Sequence, residues 1–341
     1  MSKSKAASNI FPSTAQRLQI EYLIDSVAQT NADNGNDVIA GLTKTPKSLP
    51  ARYFYDDRGS QLFEQICELP EYYLTRTETA ILQKCAREIA SITGVCELIE
   101  LGSGSSTKTR ILLDAYNQLG YPLYYLPIDV SGGILESSAQ QLLADYPSLQ
   151  VHALVSTYEL ALEKLIPSEL PNRMICFIGS TLGNLTCQEC NLFLSQITAA
   201  LLPGEYFLLG VDLQKPKDLL EAAYNDSQGI TAAFNLNMLQ HLNNRFDGNF
   251  DLQQFEHWAF YNETQHQIEM HLRSRRSQTI YLKALDTTIE FASNETILTE
   301  ISRKFDLNTI QQTLTQQGLK TVQVWTDPQQ CFGLLLCQLQ E

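Results

Sequence analysis

Between residues 96 and 213 the chain alternates short apolar runs with stretches of helical spacing, and few folds satisfy that alternation. The runs are Cys96–Leu101, Tyr124–Asp129, Leu149–Val155, Arg173–Gly179 and Glu205–Leu213. Near-continuous apolar runs of this length suit strands covered on both faces, and strands separated by helices pair in parallel. Two further runs, Leu319–Thr326 and Cys331–Leu339, are joined by Asp327-Pro-Gln-Gln and read as a hairpin. The pattern predicts an α/β fold: a doubly wound parallel sheet ending in an antiparallel hairpin, with one reversed strand.

The remainder is less regular. Ser13-Thr-Ala-Gln16 fits a capping box and predicts a helix through Leu18–Ile24. Residues 30–50 carry Gly35, Gly41, Pro46 and Pro50 and read as loop, and helical spacing returns from Arg76 to Ile92. After the fifth run come a helix at Leu219–Tyr224, a loop-rich middle, a hairpin around His257–Tyr281 turning near Asn262–His266, and a helix over 306–316. The expected division is a disordered tail at 1–12, part of a substrate domain at 13–75, and a core at 76–214. An insertion at 215–304 completes the α+β substrate domain, and 305–341 returns to the core. Together the irregular parts would cover the carboxyl edge of the sheet, where open α/β proteins bind ligands.

Charge narrows the function. Against 38 acidic residues stand 24 Lys and Arg, a formal charge of −14, and no basic run occurs. Such a surface repels phosphate backbones, so nucleic acid is not expected as a partner. No apolar stretch approaches the length of a membrane span or a signal core, which predicts a cytoplasmic protein with no membrane partner. The eight cysteines lie mostly within apolar stretches, and only Cys187 and Cys190 have ligand-like spacing. The five histidines add no matching cluster, so no metal is expected.

The strongest local signal is Glu100-Leu-Gly-Ser-Gly-Ser-Ser-Thr-Lys-Thr109, between the first run and its helix. Gly102 and Gly104 let the backbone turn and approach a ligand. Thr107 stands where a dinucleotide fingerprint needs its third glycine, and no Gly-Lys-Ser/Thr follows for a phosphate loop. Glu100 would repel a pyrophosphate and suit a cationic or zwitterionic ligand. Asp129, ending the second run, is placed to accept hydrogen bonds from a ribose diol. Together with the terminal hairpin, these features resemble a class I S-adenosylmethionine-dependent methyltransferase.

Other segments carry a more specific resemblance. They are Ser48-Leu-Pro-Ala-Arg-Tyr-Phe-Tyr-Asp-Asp-Arg-Gly-Ser-Gln-Leu-Phe, Leu69-Pro-Glu-Tyr-Tyr-Leu-Thr-Arg-Thr-Glu, Phe177-Ile-Gly-Ser-Thr-Leu-Gly-Asn-Leu-Thr and Leu298-Thr-Glu-Ile-Ser-Arg-Lys-Phe. In this order, from about residue 40 onward, the chain resembles the L-histidine Nα-methyltransferases of ergothioneine biosynthesis. The resemblance implies three methyl transfers from S-adenosylmethionine to the α-amine of histidine, giving hercynine and S-adenosylhomocysteine. It places Gly102, Ser103, Gly104, Lys108, Asp129, Thr157 and Tyr158 at the cofactor. Tyr55 and Gly179 would lie beside the reacting amine. Tyr72, Asn184 and Tyr224 would hold the substrate α-carboxylate and amine. Glu300 and Ser302 would hydrogen-bond the imidazole, with Met270 as its apolar wall.

At Ser156-Thr157-Tyr158 the sequence departs from the Gly-Asp-Phe/Tyr usual in that family, so a hydroxyl replaces the carboxylate expected at the adenine amino group. Without the resemblance, Tyr55, Tyr72 and Met270 would read as core residues. An α-N-methyltransferase acting on another amino acid such as tryptophan should lack an acid at 300. A catalytically silent cofactor-binding protein should have lost Tyr55, Asn184 or Tyr224. A nicotinamide-dependent oxidoreductase is disfavoured by the glycine loop. No isolated apolar helix face demands a dimer, and a monomer is expected.

Overall fold

The apolar runs pair as their spacing predicts. The computed structural model describes residues 17–24 and 35–341. Its large sheet contains β1 (Leu18–Tyr22), β3 (Cys96–Leu101), β4 (Tyr124–Asp129), β5 (Gln150–Val155), β6 (Asn172–Phe177), β7 (Tyr206–Asp212), β13 (Leu319–Thr326) and β14 (Phe332–Leu339). Their order is β1-β5-β4-β3-β6-β7-β14-β13, with β14 antiparallel to both neighbours and every other pairing parallel. From β3 the chain winds first toward β4 and β5, then reverses to β6 and β7. The switch point therefore lies between β3 and β6, where a crevice opens at the carboxyl ends of the strands.

Alternate residues of each strand enter different cores. On one face Leu98, Tyr125, Met174 and Leu208 pack against α3 (Tyr73–Thr93), α4 (Thr109–Gln118) and α5 (Gly132–Asp145). On the other, Ile99, Leu126, Ile175 and Leu209 meet α6 (Tyr158–Lys164), α7 (Cys187–Ala200) and α10 (Leu307–Gln316).

A third core joins distant parts of the chain. Val38 and Leu42 of α1 (Asn36–Thr43) and Leu62 and Ile66 of α2 (Asp57–Glu68) are buried with Leu220 of α8 (Lys217–Tyr224) and with Phe234, Met238 and Leu242 of α9 (Ile230–Phe246). These helices lie over a four-stranded sheet ordered β2-β12-β9-β8. Its strands are β2 (Lys47–Ser48), β8 (Phe255–Asn262), β9 (Gln267–Ser274) and β12 (Thr296–Arg303). A ribbon of β10 (Gln278–Leu282) and β11 (Thr287–Phe291) closes the end.

Four expectations are corrected. Leu18–Ile24 is not a helix: Leu18–Tyr22 extends the large sheet beside β5, where Leu18 and Ile20 pack into its core. That strand thus lies with the large sheet, not with the substrate-side core. Within 30–50, Asn36–Thr43 forms a helix that buries Val38 and Leu42, and the expected loop-rich middle holds the helix Ile230–Phe246, which buries Phe234, Met238 and Leu242. The predicted capping box at 13–16 and tail at 1–12 lie outside the described residues.

Candidate active site

The glycine loop sits at the crevice. Gly102 has φ 71°, and a Cβ there would meet Tyr158 Oη at 2.6 Å, so the position excludes a side chain twice over. The loop is tied to β4: Gly102 and Ser103 donate to Ile128 O at 2.8 and 3.2 Å, and Gly104 N donates to Asp129 Oδ2 at 3.0 Å. The other oxygen of Asp129 accepts from Ser131 N at 2.9 Å. Burial raises the Asp129 pKa, opposed by those backbone donors. Tyr158 packs its ring edge-on to Phe177 with centroids 5.5 Å apart. Thr157 caps α6, accepting from Leu160 N at 3.4 Å.

Among the described residues, the hydroxyls of Ser103 and Ser156 are buried without a hydrogen-bond partner. An unpaired buried hydroxyl is costly, and two of them flank a cradle that tolerates no Cβ. The donors, acceptors and bare backbone at this edge fit a nucleoside-bearing ligand.

Glu100 requires a correction. Instead of facing a cationic ligand, its carboxylate lies beneath the loop, where Thr109 Oγ1 and Tyr125 Oη both donate to it. Burial pushes its pKa up to about 7 against those two hydrogen bonds. It fixes the loop to α4 and β4.

At the end of β6, Gly179 (φ 85°) and Ser180 (φ 59°) turn the chain sharply. Gly179 N donates to both carboxylate oxygens of Glu78 at 2.9 Å, and Lys108 Nζ pairs with the same carboxylate. A Cβ on Gly179 would lie 3.3 Å from Lys108 Nζ. Lys108, expected at the cofactor, is thus held by Glu78 next to Gly179. Glu78 is fully buried on α3 and was not legible as a site residue, although it ends the Leu69–Glu78 segment.

The opposite wall is β12. A bulge between Leu298 and Glu300 leaves Thr299 outside the ladder, and Thr299 Oγ1 donates to Met270 O and Asn235 Oδ1 at 3.0 and 2.8 Å. Bulges of this kind re-aim the side chains that follow them. After the bulge, Glu300 lies across from Met270 and Ser302 across from Ile268. Two residues apart on a strand, Glu300 and Ser302 share one face. Burial pushes the Glu300 pKa up to about 7, with Lys304 and a hydrogen bond from Asn184 acting against it. Asn184 ends a 3-10 turn, Thr181–Asn184.

Tyr224, at the end of α8, donates to Ser302 Oγ at 2.8 Å, and its ring meets Tyr72 edge-on at 6.2 Å. Tyr55 follows the 3-10 turn Ala51–Phe54 and packs against Phe63 and Phe234 with centroids 5.9 and 5.8 Å away. Although 45% of the residue's surface is exposed, it stands deep enough among protein atoms that desolvation raises its pKa first, followed by Glu300, with Asp129 also contributing, so it feels residues of both walls. The expected substrate residues are therefore brought together around β12, and the expected cofactor residues around β3 and β4.

Beneath the substrate wall lies a charge network that sequence reasoning missed. Lys304 Nζ donates to Tyr224 Oη at 3.0 Å and to Ser302 Oγ at 2.8 Å, and pairs with Asp212 Oδ2 at 2.9 Å. Lys215 Nζ takes the other Asp212 oxygen at 2.5 Å, and Tyr73 Oη donates to both, at 2.9 and 2.7 Å. The side chains of Lys304 and Asp212 have no exposed surface. Burial works against the Lys304 charge, but Asp212 and Tyr224 together outweigh that cost, so it keeps its proton tightly. The available signal was Asp212 ending a wholly apolar strand and Lys304 preceding Phe305, 92 residues later.

Cys187 is exposed and Cys190 buried, and both lie in the first turn of α7 after the Thr186 capping box. Among the described residues no cluster of His, Cys, Asp and Glu has a metal-holding arrangement, and no helix is long and apolar enough to cross a membrane.

A family model described as histidine-specific methyltransferase, SAM-dependent, matches residues 34–339. A histidine N-alpha-methyltransferase of Mycolicibacterium smegmatis is 44% identical over 300 residues, covering 88% of this chain and 93% of that protein. Its counterpart from Mycobacterium tuberculosis is 41% identical over 303 residues, with the same shares covered. Ergothioneine biosynthesis protein 1 of Neurospora crassa is 33% identical over 287 residues, which are 82% of this chain and 32% of that longer protein.

Proposed function

Because the chain belongs to the histidine-specific, S-adenosylmethionine-dependent methyltransferases, we propose that it trimethylates the α-amine of L-histidine to hercynine, the first step of ergothioneine biosynthesis. The observation that carries this reading is the placement of Glu300 and Ser302 on one face of β12, opposite Met270, with Tyr55 reaching toward both walls.

When bound, S-adenosylmethionine supplies the methyl group as an electrophilic sulfonium. Gly102, Ser103, Gly104 and Asp129 would hold it from the β3 and β4 ends, with Lys108, Thr157 and Tyr158 completing the contact. The nitrogen that attacks is a neutral amine, so the main task of the protein is alignment. Tyr72, Asn184 and Tyr224 would hold the α-carboxylate and amine, while Gly179 keeps the wall beside the amine free of a side chain. Partial desolvation and the nearby Glu300 raise the Tyr55 pKa, so its hydroxyl stays protonated and acts as a hydrogen-bonding and aromatic neighbour and not as a base. Its π face attracts the accumulating ammonium charge, worth about 0.5–2 kcal/mol. Each transfer forms an N–C bond as the S–C bond breaks, and the amine proton leaves to water before the next.

Specificity follows from Glu300. A half-buried carboxylate opposite Met270 is stabilised by an imidazole N–H and left unpaired by a side chain that lacks one. Incubating the protein with S-adenosylmethionine and the twenty amino acids, and reading masses, tests this. A gain of three methyl groups on histidine alone is expected. Methylation of tryptophan would overturn the pocket assignment, and no methylation would overturn the enzyme reading.

A further inference from the structure

The hydrogen bonds around Ser302 fix which way its own proton can point. A serine hydroxyl has one proton to donate and two lone pairs to accept with. Ser302 Oγ accepts from Tyr224 Oη and from Lys304 Nζ, each at 2.8 Å, so both lone pairs are filled. Lys304 cannot turn away: its other two contacts are Tyr224 Oη and Asp212, inside a fully buried network. An ammonium has no acceptor in any orientation, so it cannot receive the serine proton in exchange.

We infer that Lys304 is a positioning residue that makes Ser302 an obligatory donor, so that the site selects the neutral imidazole ring in one tautomer. This rests on the assignment of Glu300 and Ser302 to the substrate ring. A neutral imidazole offers one N–H and one bare nitrogen, matching the Glu300 acceptor and the Ser302 donor. A protonated ring would present its second N–H to a hydroxyl with no lone pair left.

The test compares histidine with 1,2,4-triazol-3-ylalanine, which keeps a neutral ring with the same N–H and nitrogen throughout the range used. Calorimetry of both ligands on the intact protein with S-adenosylhomocysteine, at pH 5.5 and pH 8, gives the ratio of their dissociation constants. Where both ligands bind with a neutral ring, Glu300, Asp212, Lys215 and the nearby His266 act on them alike and cancel in the ratio, whereas a charged ring held by Glu300 would flatten it. Burial keeps Tyr55, Tyr72, Tyr73 and Tyr224 protonated throughout. With a ring pKa near 6.5, the ratio for the unmodified protein should shift about tenfold against histidine at pH 5.5.

In Lys304→Met a lone pair of Ser302 is released, and the shift should fall to about twofold or less. Asp212 keeps Lys215, so the substitution leaves no unpaired buried charge. Should that variant not fold, Lys304→Gln, whose amide oxygen can accept the Ser302 proton, carries the same expectation. A flat ratio in the unmodified protein would overturn the selection of the neutral ring. A tenfold shift retained in the variants would overturn the role of Lys304. Failure to bind histidine at pH 8 would instead overturn the functional reading itself.

Discussion

Glu100, buried, and Glu300, half-buried, are carboxylates in opposite walls of one cleft, and loss of water pushes both up to about 7. Their surroundings differ. Glu100 is closed in by Thr109 and Tyr125, two donors from the protein's own frame. Glu300 follows a bulge, faces Met270, and has the single side-chain donor Asn184 beside a distant-acting Lys304. An acid whose donors come from two elements of the frame ties those elements together, whereas one that faces the cleft with a single donor waits for a ligand. Charge alone does not separate them; the number of donors does.

The contrast breaks most visibly at Glu300. Glu300→Ala should lower kcat/KM for histidine by about 100- to 1000-fold, because a charge-assisted contact to the ring is lost, with little change in thermal midpoint. Glu100→Ala should do the reverse. It strands the Thr109 and Tyr125 hydroxyls and should cost about 2–3 kcal/mol in denaturant unfolding, while kcat of the folded enzyme stays within about threefold.

Next comes pH. For an acid whose folded pKa is raised, protonation favours the folded state, so stability is highest below about 4.5 and declines as pH rises through about 7. Glu300→Gln removes that decline. In the ligand-free protein it should be no more stable than the parent at pH 5 and about 1–2 kcal/mol more stable at pH 8, after allowing for water in the cleft. Thermal melts across that range measure the gap, and a gap that shrinks toward pH 8 would reverse the sign assigned to Glu300.

A smaller effect probes the loop. Gly102→Ala should weaken S-adenosylhomocysteine binding about tenfold, since its Cβ meets Tyr158 Oη at 2.6 Å. Adding Tyr158→Phe moves the nearest ring atom out to 3.5 Å, leaving only the backbone strain of about 1 kcal/mol. The double variant should therefore bind more tightly than Gly102→Ala alone. Thr157→Asp should have the least effect: the cap on α6 is retained, because Asp caps as well as Thr, while binding tightens a few-fold if this residue meets the adenine amino group. Calorimetry reads both.

What the sequence disclosed follows from the range of each cause. Strands β3 to β7 were legible because a doubly covered strand is apolar along its whole length, and the glycine loop because its backbone admits little else. Leu18–Tyr22 misled: Leu18, Ile20 and Tyr22 alternate as a strand should, but Leu18 and Tyr22 are also one helical turn apart, and five residues cannot separate the two periods. Helix Asn36–Thr43 was hidden by flanking glycines and prolines. At the site, Tyr55, Asn184, Glu300 and Ser302 were named through family resemblance, and spacing alone would not have selected them. The orientation of Glu100 depends on where α4 and β4 place two hydroxyls, and the Lys304–Asp212 pair joins residues that meet only in the folded sheet.

The order in which the ribosome releases these parts has a consequence of its own. The third core is complete in sequence once Ile297 has emerged, whereas the large sheet still lacks β14, which sits between β7 and β13. Until Phe332–Leu339 is made, the apolar flank of β7 has no neighbour in the sheet. The wall carrying Glu300 and Ser302 can thus gather before the large sheet closes. The nascent chain passes through an interval in which one edge of β7 is unpaired, the kind of edge that invites pairing with other chains.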